Sequence, residues 1–171
     1  MLEISPHLKE VVQRQIAERS GRVGRSERAL TTVKGTALGD LQFRAQVEGH
    51  SFIADERQSA GGRDAGPAPM RYFLSGVMLC HKVWMVKTAA LKDLELGSLE
   101  GEISWYNDVP IPRIVYRISI ESGNSDDDIR EVVEGGAKGC VAFKTMERAA
   151  RIEVTATHNG EVVLEKVYGI Q

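Results

Sequence analysis

Cysteine is nearly missing from this chain: two residues, Cys80 and Cys140, in 171. Two thiols exclude a disulfide scaffold, and a chain of this length buries a core without metal or disulfide staples, so one domain spanning 1–171 is expected. An excess of positive charge is also absent. Lys and Arg number 22 against 24 Asp and Glu, a formal charge of -2, which speaks against a phosphate-binding surface and hence against nucleic acid as a partner. The longest apolar stretch is interrupted by Lys82, Lys87 and Lys92, so no membrane span is expected. The amino terminus, MLEISPHLKEVVQRQIAERSGR, has no apolar core of the signal-peptide kind. The expectation is a soluble cytoplasmic protein, where two cysteines are more often free, catalytic or transiently bonded than structural.

What is present divides into three stretches. Residues 1–28 read as an extension: an amphipathic helix through Leu8, Val11, Val12 and Ile16 with Pro6 near its start, then a Gly- and Arg-rich loop from Ser20 to Arg28. Strands follow over Ala29 to Thr36 and Leu41 to Val47 about a Gly39-Asp40 turn, then a third over His50 to Ala54 and a loop from Asp55 to Pro67. A long helix runs from about Pro69 to Asp93. Its apolar residues lie all round, as in a helix enclosed by other structure.

In the second half, Leu99 to Tyr106 and Ile114 to Ile120 alternate as half-buried strands. Ser125 and the acidic run Asp126 to Asp128 open a helix to about Ala137, in keeping with the dipole. A further helix covers Cys140 to Ala150. Strands Ile152 to Thr157 and Val162 to Tyr168 close the chain around His158-Asn159-Gly160, a hairpin signal. Strands grouped at both ends with helices between them give an α+β class.

Cys80 lies about three turns into its helix, beyond the reach of the helix dipole, so activating its thiol needs a cation or donor from elsewhere in the chain. Gly76 one turn earlier, with Trp84, Phe73 and Val77 nearby, can leave a small apolar pocket. Equally, Cys80 can be a buried apolar filler beside a glycine that lets helices pack closely. Cys140, after Gly139 and near a helix start, is placed for the dipole to acidify it, although a cysteine there can also be without a role. The two act as a pair only if folding joins them. His81 points to a different face from Cys80, and His7, His50 and His158 are isolated. No metal-binding spacing occurs, and the loop Gly61 to Pro69 matches no phosphate-binding pattern.

Gly49-His50, Phe52, Ala54-Asp55-Glu56, the loop GGRDAGPAP and a helix with a cysteine after Leu79 together resemble the osmotically inducible protein C and organic hydroperoxide resistance (OsmC/Ohr) family. The acidic helix followed by a second cysteine, sixty positions after the first, is similar to that family too. The resemblance covers roughly residues 29–168. It implies two-layer antiparallel sheets with a central cysteine-bearing helix in an intertwined homodimer. It also implies thiol-dependent reduction of organic hydroperoxides, with Cys80 as the peroxidatic thiol, Cys140 as the resolving thiol and an external dithiol or lipoyl-type reductant in place of a bound cofactor. Arg44 is the candidate activating arginine, with Arg22 and Arg25 as further candidates, although Arg44 can equally be a surface strand residue. The family's glutamate ten residues before the first cysteine is replaced by Met70, with Arg71 next to it, and Val141 stands where proline commonly follows the second cysteine. That substitution keeps a second reading open, a non-enzymatic or repurposed relative that binds a small apolar ligand at the dimer interface.

Overall fold

Two tight turns set the pattern of the first sheet. Glu48 and Gly49 have φ of 49° and 84°, the left-handed pair that a two-residue hairpin needs to match strand twist. The computed structural model describes residues 2–20, without the side chains of 19 and 20, and residues 31–170. The loop expected over 20–28, with Arg22 and Arg25, therefore lies almost wholly outside the described residues. The chain forms two compact units, residues 23–74 and residues 1–22 with 75–171.

The 23–74 unit holds β1 (Lys34–Gly39), β2 (Gln42–Val47) and β3 (His50–Ala54), antiparallel in that order. The first turn falls one residue later than expected, on Asp40 and Leu41. Gly39 remains paired, at φ 139°, and Asp40 takes the left-handed conformation that Asp tolerates. After β3 the chain makes a single 3-10 turn at Gln58–Ala60 and then enters the long helix at Pro69.

The other unit contains α1 (Pro6–Ser20), most of the long helix α2 (Pro69–Leu91), β4 (Ser98–Tyr106), β5 (Arg113–Glu121), α3 (Asp126–Gly139), α4 (Val141–Met146), β6 (Arg151–His158) and β7 (Glu161–Gly169). Its sheet runs β4-β5-β6-β7. The all-antiparallel expectation fails at one place: β5 and β6 are parallel, in register from Arg113 opposite Arg151 to Ile120 opposite His158. A parallel neighbour cannot be reached by a tight turn, and α3 with α4 supplies the crossover.

Alternation places Ile114, Tyr116, Ile118 and Ile120 of β5, with Ile152, Val154, Ala156 and His158 of β6, in the core. Val77, His81, Met85 and Ala89 of α2 are also buried, with Ile129, Val132 and Val133 of α3 and Phe143 of α4. Successive α2 members are four residues apart, one stripe of a 3.6-residue helix. The expected enclosure of α2 on all sides is not met within one chain, since Leu79 and Val83 are 55% and 52% exposed.

Ser125 caps α3, its Oγ accepting the Asp128 N–H at 3.2 Å, and three aspartates occupy the first turn as expected. The helix after Cys140 is shorter than expected. It stops at Met146, and the following turn is packed beneath Gly169, where an added Cβ would stand 2.2 Å from the Ala150 carbonyl oxygen.

Candidate active site

Three glycines on α3 let α2 approach it closely. A Cβ added at Gly135 would stand 2.6 Å from Thr88 Cγ2, one at Gly136 2.5 Å from Met85 Cγ, and one at Gly139 2.2 Å from the Trp84 ring. Side chains of α2 therefore lie directly on α3 backbone. Gly76, a candidate for this packing role in the sequence, has nothing within 4 Å of an added Cβ. The contact is made by glycines of the partner helix.

This approach brings the two cysteines together. Cys80 sits one turn before Trp84, and Cys140 immediately follows Gly139, in the joint between α3 and α4. Both are free thiols. The Cys80 thiol is near enough to Cys140 to perturb its titration. Cys140 is fully buried, whereas Cys80 is half-buried.

The electrostatics of Cys140 differ from the sequence expectation. Its Sγ accepts the Phe143 N–H at 3.3 Å as the N-cap of α4. Burial nevertheless pushes the thiol well above its ordinary value; the Phe143 and Ala142 N–H groups oppose the rise and the neighbouring Cys80 adds to it. The helix-start dipole is present but is outweighed, because a thiolate without water is far more costly than six residues of aligned peptide can offset.

The residue after Cys80, His81, is fully buried, its ring 5.5 Å from that of Tyr116 and 4.8 Å from that of Phe143. It does face away from Cys80, as its position in the helix requires. Its Nε2–H donates to the Val133 carbonyl at 3.2 Å. Burial pushes its pKa down to about 4, against a smaller opposing effect of that carbonyl, so the ring is neutral at neutral pH.

In the 23–74 unit, the loop that carries the GGRDAGPAP motif is organised by Asp55, a residue whose role the sequence did not reveal. Its carboxylate accepts N–H groups from Glu56 at 2.8 Å and from Arg63 and Ala65 at 3.2 Å, and the Gln42 amide at 3.4 Å. Burial raises its pKa, but these donors outweigh it and hold the carboxyl below its ordinary value. Gly62 and Gly66 are required by close approach, since Cβ atoms there would stand 1.9 Å from the Glu56 carbonyl oxygen and 2.2 Å from that of Ile53. Arg44 is exposed on β2, opposite Thr36 and Ile53. Met70, on the first turn of α2, is 42% exposed. Among the described residues no group of three or more His, Cys, Asp or Glu side chains is placed to hold a metal ion, and no helix is long and apolar enough to cross a membrane.

The OsmC-like protein family model matches residues 61–155, more than half of the chain and inclusive of both cysteines. The chain belongs to the OsmC-like family. Solved structures agree with this OsmC-like fold. An OsmC-like protein from Mycoplasma pneumoniae superposes with a TM-score of 0.68 at 19% identity, covering 78% of this chain and 99% of that one. An organic hydroperoxide resistance protein OsmC from Legionella pneumophila gives 0.61 at 14% identity over 78% and 99% of the two chains. An organic hydroperoxide resistance protein from Elizabethkingia anophelis gives 0.62 at 12% over 79% and 100%. Comparison with curated proteins gives no match. The OsmC-like α+β fold, with two sheets and helices, is thus shared at low identity.

Proposed function

We propose that this OsmC-like protein is a thiol-dependent peroxidase that reduces organic hydroperoxides. The observation that carries this reading is the closeness of a half-buried thiol, Cys80, to a sealed one, Cys140, which it perturbs. The Cys80 thiol gives its proton to solvent, and the thiolate attacks the terminal peroxide oxygen; the O–O bond breaks, the departing alkoxide takes a proton back from solvent to leave as an alcohol, and Cys80 becomes a sulfenic acid. The Cys140 thiol then attacks that sulfur, its proton leaves with the hydroxyl as water, and a disulfide remains for an external dithiol or lipoyl-type reductant to reduce. Activation of Cys80 by a guanidinium is assigned to Arg44. A homodimer would cover Leu79 and Val83, and two free thiols suit a reducing cytoplasm. Organic hydroperoxide resistance in the names of structural relatives points the same way.

The test is consumption of cumene hydroperoxide by purified protein with a dithiol reductant. Cys80→Ser should abolish it, and Cys140→Ser should leave a sulfenic acid on Cys80 that dimedone traps. Turnover that survives Cys80→Ser would overturn the assignment. The exposed Met70, standing where the family has a glutamate, favours the second reading, binding of a small apolar ligand without chemistry. That reading requires a Cys80 unreactive to substoichiometric peroxide and a melting temperature that rises with an apolar ligand.

A further inference from the structure

At the far end of the β5-β6 pair, three side chains from separate segments meet in one line. Ser122 follows β5, Asp126 opens α3 and His158 ends β6. His158 is only 5% exposed; its Nδ1 lies 2.7 Å from Asp126 Oδ1 and its Nε2 lies 2.9 Å from Ser122 Oγ. An ionised carboxylate can only accept, so Nδ1 carries the ring proton and Nε2 presents a lone pair to the Ser122 hydroxyl. This is the tautomer in which imidazole serves as base to a serine, with the carboxylate orienting the ring.

The surroundings hold the serine in place. Asn159 clamps its backbone, Oδ1 accepting the Ser122 N–H at 3.1 Å and Nδ2 donating to the Ser122 carbonyl at 3.0 Å. The same Nδ2 is 3.2 Å from His158 Nε2, and Ser122 Oγ accepts the Asn124 N–H at 3.2 Å. A protonated His158 would find a second acceptor in the Ser122 carbonyl, 3.2 Å from Nε2. The next residue, Gly123, has open space on its side-chain face, and its N–H has no partner among the described residues. A free N–H directly after the serine is where an oxyanion donor stands in serine hydrolases.

We propose that Ser122 is an acyl-accepting nucleophile and that Ser122, His158 and Asp126 form a second reactive centre, an esterase site for small activated esters. Ser122 Oγ attacks the ester carbonyl carbon and its proton passes to Nε2. The bond to the leaving oxygen breaks, the leaving group takes that proton, and the acyl group stays on Ser122. Water then attacks the acyl carbon, giving a proton to Nε2 that returns to Ser122 Oγ as the carboxylic acid departs. Half-exposure of Ser122 allows a small acyl donor to reach it, while an Asp126 side chain 56% exposed holds the imidazolium weakly and makes turnover slow.

The test uses the full chain with Cys80→Ser and Cys140→Ser, so that no thiol can take the acyl group. The probes are p-nitrophenyl acetate and a fluorophosphonate, read by nitrophenol release and by peptide mass spectrometry. The expected result is an acetyl or phosphonyl group on Ser122, with nitrophenol release lowered about a hundredfold in Ser122→Ala and in His158→Gln. Labelling of the Ser122-containing protein needs no variant at this site, so misfolding of His158→Gln cannot obscure it. An unmodified Ser122, or release unchanged in folded Ser122→Ala, would overturn the proposal and leave the three residues as a staple between β6 and α3. The result is independent of peroxide reduction, since the thiols are absent throughout.

Discussion

Acidification should weaken this protein through His81, by an amount the structure sets. The unfolded chain takes up a proton on this ring near the ordinary value of 6.5, whereas burial in the fold holds it down at about 4. Between those values the unfolded state binds more protons, so stability falls as pH falls; above 6.5 the effect vanishes, and below about 4 the loss is complete. At about 1.4 kcal/mol per pH unit, the gap amounts to about 3 kcal/mol. Urea unfolding across this window, at one protein concentration so that any self-association contributes equally, would measure it. His81→Leu keeps an apolar side chain against Tyr116 and Phe143 and loses the proton acceptor. It should cost about 1 kcal/mol above the window for the lost Val133 hydrogen bond, and should flatten the pH dependence within it. His7, His50 and His158 are present in both proteins, so the difference between the two curves belongs to His81. Parallel curves for the two proteins would refute the buried neutral imidazole.

Gly139→Ala forces a methyl group into the Trp84 ring and should destabilise by about 1–3 kcal/mol, read as a lower urea midpoint; an unchanged midpoint would mean that α2 and α3 do not pack this closely. Ser125→Ala removes the cap on α3 and should cost about 1 kcal/mol by the same measurement, with an unaffected midpoint counting against the cap. Asp55→Ala leaves the N–H groups of Glu56, Arg63 and Ala65 without their acceptor and should make residues 56–67 the first site of limited proteolysis. Because the Asp55 carboxyl is held below its ordinary value, its contribution is present above pH 3.8 and fades as pH falls through its lower folded value. Wild-type protein should therefore gain the same protease sensitivity only in strong acid.

The elements legible from sequence were those decided by local chemistry. Asn159 and Gly160 form the expected turn because both adopt positive φ, 49° and 89°, and few other dipeptides accept that pair. Ser125 reads as a cap because it is one, and Pro69 opens α2 because a first-turn proline loses no hydrogen bond. Pairing direction was not legible: β5 and β6 alternate in the same way whether parallel or antiparallel, and only their partner register separates the two cases. The packing role of Gly135, Gly136 and Gly139 was not legible either, since the side chains they admit belong to α2, about fifty positions away. The Cys140 thiol shows the same limit. Its place at a helix start is a local fact, whereas the burial that outweighs it comes from the whole fold. Asp55 stood inside a recognisable motif, but its four donors are spread from Gln42 to Ala65, and nothing in their order marks them as one shell.

The junction of α3 and α4 at Cys140 has a mechanical consequence. A covalent bond from there to Cys80 would close a loop of sixty residues and remove about 4 kcal/mol of conformational freedom from the unfolded chain. It would also clamp the β5-to-β6 crossover onto the long helix. Oxidant would then act on the protein as a tightening screw, and each cycle of reduction would loosen the same joint.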